Sequence, residues 1–199
     1  MIIKKNVGIL LFDDVEVLDF AGPYEVFTST RLSNKSIASI KNLPCPFNVF
    51  TFSERKKITA SGDLIIQCKY TLKDCPQLNI LLIPGGIGTR KLLDNKKILA
   101  WLKKNKNTDI VASICTGALL LAKAGLLIKK NATTHWGALN LLKEISPTTK
   151  VLKEQKYVFD TYYTSAGVSS GIDMSLYIIE KLFGKRIAKN TAKYIEYKY

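Results

Sequence analysis

Histidine occurs once in the 199 residues, at His135, and cysteine four times, at Cys45, Cys68, Cys75 and Cys115, with no C-x-x-C pair. A structural zinc site takes about four Cys or His ligands in paired spacings, so no metal is expected. No disulfide framework is expected either, and the cysteines read as reduced. Long apolar runs are also missing. Nothing approaches the roughly 20 residues that span a bilayer, and the short run Val7 to Phe12 lacks a signal-peptide cleavage pattern after it. A cytoplasmic protein with no membrane partner is the expectation. Acidic residues are scarce, 16 against 30 basic ones, for a net charge of +14. Yet the lysines are scattered, with small clusters at Arg55 to Lys57, Lys103 to Lys106 and Lys185 to Lys193. No interleaved aromatics or helix-turn-helix accompany them. A solvated basic surface and no specific nucleic-acid partner are expected.

What remains is ordinary globular composition, 47% hydrophobic and 23% charged, at a length that suits one domain, residues 1–199, around one core. Val7 to Phe12, Phe47 to Phe52, Ile80 to Ile83 and the run ending at Ile114 read as strands of a main sheet. Ile58 to Ile66 reads as a small hairpin added to that sheet, Ser33 to Asn42 as a polar connector, and Tyr157 to Ser165 as two late strands. Helices are expected from Pro23, which suits a first helical position, over Leu92 to Leu102, from Cys115 to about Leu127, over Leu139 to Ile145, from Gly171, and at the Lys-rich end. Strands alternating with helices predict an α/β fold, a doubly wound, mostly parallel sheet with helices on both faces.

The run Val111-Ala112-Ser113-Ile114 stops at Cys115, and Thr116-Gly117-Ala118 opens a helix. Such a sharp strand-to-helix turn lifts its central side chain out of the sheet and tolerates little bulk around it. Backbone N–H groups and the helix dipole there favour thiolate over thiol, which makes Cys115 a candidate nucleophile. A small buried cysteine at a strand end fits the same pattern. Asp19 falls in the expected loop between the first strand and Pro23, at the carboxyl edge where ligands bind; a plain loop carboxylate or helix cap fits there too. Pro84-Gly85-Gly86 lets a ligand approach backbone N–H groups closely, but Gly85 to Arg90 has neither a dinucleotide fingerprint nor a P-loop ending. His135, beside Trp136, suits a cysteine's partner or a packed structural ring.

Five segments in order resemble the ThiJ/PfpI superfamily of glutamine amidotransferase-like proteins: Val17 to Phe27, Pro84-Gly85-Gly86, Ile114 to Ala118, Ala132 to Trp136 and Thr164 to Met174. Within it they are most similar to the isonitrile hydratase branch and the ligand domain of AraC-like regulators. The resemblance implies a flavodoxin-like fold, a homodimer, a small-molecule substrate and no cofactor. It makes Cys115 the nucleophile, Asp19 the acid, and the N–H groups of Gly86 and Thr116 the oxyanion donors, with Gly85, Ile87, His135 and Trp136 around the pocket. The implied reaction converts an isonitrile to an N-substituted formamide: Cys115 attacks the terminal carbon, Asp19 protonates it, and Thr116 orients the water. A carboxyl group beside a thiolate is expected to have a raised pKa. Proteolytic members carry histidine where this chain has Thr116, and amidotransferases carry a His-x-Glu that His135-Trp136-Gly137 does not supply, so neither activity is expected. Glyoxalase or deglycase chemistry on small dicarbonyls is an alternative, although members with it carry Glu at the position of Asp19. A non-catalytic redox or ligand sensor is another. The residues after Gly184 are too few for the DNA-binding segment of the regulators, so direct gene regulation is not expected. Asp173 reads as a helix-terminal or pocket-wall residue, and Ser169 and Ser170 as structural.

Overall fold

A computed structural model describes residues 3–32 and 43–199, and the expected connector Ser33 to Asn42 lies outside them. The first half of the described chain runs β1 (Lys5–Leu10), α1 (Val17–Ser29), β2 (Phe47–Ser53), β3 (Lys57–Thr59), β4 (Ile65–Gln67), β5 (Tyr70–Thr71), β6 (Ile80–Ile83), α2 (Thr89–Leu92) and α3 (Lys96–Lys104). The second half runs β7 (Ile110–Ser113), α4 (Gly117–Lys123), β8 (Asn131–Ala132), α5 (Leu139–Ile145), β9 (Lys150–Val151), β10 (Tyr157–Phe159), β11 (Tyr163–Ser165), α6 (Ser170–Phe183) and α7 (Lys185–Tyr194).

Among the described residues the central sheet has seven strands in the order β10-β11-β7-β6-β1-β2-β5. All neighbours run parallel except β10 and β11. The fold is the expected α/β, flavodoxin-like arrangement. β1 and β6 occupy its middle, and their continuous apolar runs follow from burial on both faces: Val7, Ile9, Leu10, Leu82 and Ile83 have no exposed surface. Alternation along β2 sends Phe47 and Phe52 to opposite faces. Phe47 meets Phe27 of α1 and Phe183 of α6 edge-on, while Phe52 packs on Trp101 of α3, 4.9 Å between ring centres. Helices therefore cover both faces. From β1 the chain goes to β2 on one side and later to β6 on the other, which opens a crevice at the carboxyl ends of β1 and β6.

Four local expectations need correction. α1 starts at Val17, so Pro23 is its seventh residue and Asp19 sits in its first turn, not in a loop. Proline's first-turn preference misleads here because burial of Phe20, Val26 and Phe27 carries the helix through Pro23, at the loss of the N–H that would bond the Asp19 carbonyl. The apolar stretch Leu92 to Leu102 is split into α2 and α3, because the Asn95 side chain accepts from the N–H groups of Lys97 and Ile98 at 3.0 and 3.1 Å and starts a new helix. β3 and β4 form their own two-stranded antiparallel sheet and do not join the main one. The helix after Cys115 ends at Lys123, short of Leu127, and Gly125 follows it with φ +77°.

Candidate active site

Four chain segments meet at the carboxyl edge of the sheet: the first turn of α1 after β1, Pro84-Gly85-Gly86 after β6, Ile114-Cys115-Thr116 after β7, and Ala166-Gly167-Val168 after β11. Cys115 has φ +53°, a region that a residue with a Cβ enters only when its surroundings hold it there. They do so at both ends of the residue. Its N–H is shared by the carbonyls of Ser165 and Ala166 at 3.2 and 3.1 Å, and its own carbonyl accepts from the Thr134 hydroxyl at 2.7 Å. Val168 is strained in the same sense, with φ +42°, and its N–H favours the charged forms of Cys115 and Asp19 without making a hydrogen bond of ordinary geometry to either.

Asp19 has no exposed surface. Its Oδ2 accepts from the Gly85 N–H at 2.9 Å. Oδ1 is buried without a partner at ordinary hydrogen-bond length, and the Cys115 thiol is the side chain turned toward this carboxyl. Burial pushes the Asp19 pKa up to about 7, a rise that the Gly85 N–H and the thiol restrain and the Glu16 charge reinforces. The raised acid expected from the sequence is present. The thiolate is not: burial, then the Asp19 charge, push the Cys115 thiol up to about 12, against the N–H groups of Thr116 and Val168. The expectation of a depressed thiol pKa fails because two backbone donors do not offset a carboxylate and the loss of water. Near neutral pH the pair holds one or two protons, and the sulfur keeps one in both states.

Two glycines let these groups converge. A Cβ on Gly85 would lie 2.5 Å from the Thr116 nitrogen and 2.9 Å from Asp19 Oδ2. Gly86 has φ +123°, and a Cβ there would lie 2.4 Å from the Asp14 carbonyl oxygen. The Thr116 hydroxyl accepts from the Gly86 N–H at 3.0 Å and lies 3.1 Å from both the Gly86 carbonyl and the Thr89 hydroxyl. This changes two sequence-based roles. The Thr116 hydroxyl ties down the glycine loop and is not free to orient water, and the Gly86 N–H is occupied by that hydroxyl instead of open to an oxyanion.

Above the sulfur is an open pocket of 180 Å³, walled by Ile87, His135 and Val168 and flanked by Glu16 and Arg90. His135 is half-buried; its Nδ1 accepts from the Gly137 N–H at 3.2 Å and its ring lies over Gly167. It serves as a wall, with no hydrogen bond to Cys115 among those observed. Trp136 is 80% exposed and lines a separate 420 Å³ cavity with Thr134, Leu139 and Gly167, while Gly85 is buried and does not line the pocket over Cys115. Asp173 is outside it, paired with Lys156 at 3.1 Å and with the Tyr197 hydroxyl at 3.2 Å. Among the described residues no three His, Cys, Asp or Glu side chains gather as a metal site would require. Sequence reasoning missed Val168, Thr134, Glu16 and Arg90. A positive φ at a valine and a hydroxyl aimed at a distant carbonyl leave no local trace in a sequence.

Residues 5–181 match the DJ-1/PfpI family. Isonitrile hydratase from Pseudomonas putida is 31% identical over 193 residues, taking in 96% of this chain and 78% of that protein. The HTH-type transcriptional regulator GbdR of Pseudomonas aeruginosa is 21% identical over 185 residues, 92% of this chain and 48% of the regulator, so the chain spans about half that protein's length. The crystal structure of a THiJ/PfpI family protein from Pseudomonas syringae superposes with a TM-score of 0.85 at 25% identity, covering 98% of this chain and 76% of that one.

Proposed function

This chain belongs to the DJ-1/PfpI family, and from that premise we propose that it is a cysteine-dependent hydratase that converts small isonitriles to N-substituted formamides, with Cys115 as nucleophile and Asp19 as proton carrier. One observation carries the reading: a fully buried carboxyl, its pKa raised to about 7, is turned toward a thiol held in a strained elbow. The likeness to an isonitrile hydratase supports the choice of substrate. In this scheme the Cys115 thiol gives its proton to the Asp19 carboxylate as sulfur adds to the terminal isonitrile carbon. Asp19 returns that proton to the same carbon, leaving a thioimidate, R–N=CH–S–Cys115. The N–H groups of Thr116 and Val168 stabilise negative charge on sulfur as the thiol proton departs. Water then adds across the C=N bond, and the tetrahedral adduct expels sulfur, which takes back a proton as R–NH–CHO leaves. No external cofactor enters the balance.

The test is product formation by wild type and Cys115→Ala with cyclohexyl isocyanide and, separately, with methylglyoxal. We expect N-cyclohexylformamide from the wild type and a loss of roughly 10³-fold or more in the variant. Cysteine-dependent loss of methylglyoxal without formamide would transfer the site to dicarbonyl chemistry. Silence with both, from folded and reduced protein, would overturn the hydratase reading.

A further inference from the structure

The pocket over Cys115 carries two charged side chains, Glu16 and Arg90, which a neutral isonitrile does not require. Arginine is uncommon here, four of the thirty basic residues, so its presence beside the sulfur is not explained by the general lysine-rich surface. Arg90 lies in the first turn of α2. Its Nη1 donates to the Thr89 hydroxyl at 3.2 Å and to the Gly86 carbonyl at 3.4 Å, which anchors the guanidinium to the same loop that receives Asp19 and Thr116. Two acids of the adjoining loop are already engaged: Asp13 pairs with Arg55, and Asp14 with Lys91 at 3.0 Å. Among the described residues Arg90 itself makes no ion pair. Its Nη2 and Nε donors are therefore left for a ligand, in the planar fork that suits a carboxylate. Glu16 brings the opposite charge to the same pocket but forms no ion pair with Arg90 among the described residues, so the guanidinium is not neutralised by it.

We propose that Arg90 is a specificity-determining residue that binds a carboxylate on the substrate, so that this site takes small electrophiles carrying an acid group a short spacer away from the reacting carbon. The proposal deepens the hydratase reading and rests on it for the identity of the electrophile. The orientation follows: carboxylate on Arg90, isonitrile carbon over Sγ.

Two reagents of matched size separate this claim from turnover. Iodoacetate and iodoacetamide alkylate the same sulfur but differ in charge, and mass spectrometry of the Cys115 peptide gives the ratio of their rates. We expect Arg90→Gln to lower the iodoacetate/iodoacetamide ratio about ten-fold, Arg90→Lys to keep part of it, and Lys96→Gln, the same charge change at an exposed lysine of α3 with no ion pair among the described residues, to leave it unaltered. An unaltered ratio in Arg90→Gln, or an equal fall in Lys96→Gln, would overturn the proposal. Labelling is done at about pH 10, where roughly one Cys115 thiol in a hundred is ionised, and a Cys115 that neither reagent labels there overturns the proposal as well, since such a pocket admits no small electrophile. In turnover, a higher kcat/KM for isocyanoacetate than for its methyl ester supports the assignment, and equal or reversed values oppose it. If neither is hydrated, the hydratase reading falls, and the labelling ratio still decides the role of Arg90.

Discussion

Asp19 joins stability to chemistry, because the burial that raises its pKa also penalises its charge. Its ordinary value of 3.8 becomes about 7 in the folded protein, so between these values the folded chain holds a proton that the unfolded chain releases. That contribution to stability is complete below about pH 4 and is lost as pH rises through 7, a difference on the order of 4 kcal/mol. Asp19→Asn keeps the size and the acceptor for the Gly85 N–H but removes the charge. It should raise the melting temperature at pH 8 far more than at pH 4, as read by thermal unfolding at the two pH values; a variant less stable than wild type at pH 8 contradicts the burial argument. The same substitution removes the proton carrier, and kcat should drop by about 10²- to 10⁴-fold. In the wild type the pair is ready once Asp19 is ionised and Cys115 still holds its proton. Activity should therefore climb as pH passes through about 7 and hold on the alkaline side, where the thiol titrates only near 12. A profile that falls across pH 7 would assign the working proton differently.

At the scale of elements, the elbow between β7 and α4 is strained by itself and is held by what packs on it. Backbone conformations such as those of Cys115 and Val168 cost about 1–3 kcal/mol each, and the Thr134 hydroxyl on the Cys115 carbonyl is one of the bonds that oppose the strain. Thr134→Val keeps the shape and removes that bond. Urea unfolding should show a loss of about 1–3 kcal/mol, accompanied by lower turnover; unchanged stability and turnover would mean that the elbow needs no such clamp. Gly86→Ala should be worse for activity, because the added carbon meets the Asp14 backbone and displaces the loop that carries Gly85. This is also the scale at which the sequence was most and least informative. Continuous apolar runs marked β1, β6 and β7, and small residues around Cys115 marked the elbow, since both are short-range consequences of burial and sterics. The place of Asp19 in a helix was hidden by Pro23, whose local preference lost to packing. The occupied Thr116 hydroxyl and the clamp by Thr134 depend on contacts 30 and 19 residues away along the chain, beyond any periodicity.

For the molecule as a whole, the doubly wound topology brings four distant segments to one sheet edge, and it was legible as alternating strands and helices before any contact was known. The family motifs were legible for the same reason: each lies at a strand end that the topology makes a neighbour of the others. The β3–β4 hairpin was legible as a hairpin but not as a sheet of its own, and the β8–β9 pair was less legible, because strands of two residues carry too little pattern. Among the described residues no helix is long and apolar enough to cross a membrane. The proposed assembly is a homodimer, and sedimentation equilibrium should return twice the chain mass at micromolar concentration; a monomer there contradicts it. The central claim, that sulfur of Cys115 bonds covalently to the isonitrile carbon, is tested most directly by acid-quenched mass spectrometry of the wild type during turnover. The account predicts an adduct on the Cys115 peptide heavier by the whole mass of the isonitrile, absent from Cys115→Ala. Formamide production that persists in Cys115→Ala with no adduct on any peptide would contradict it.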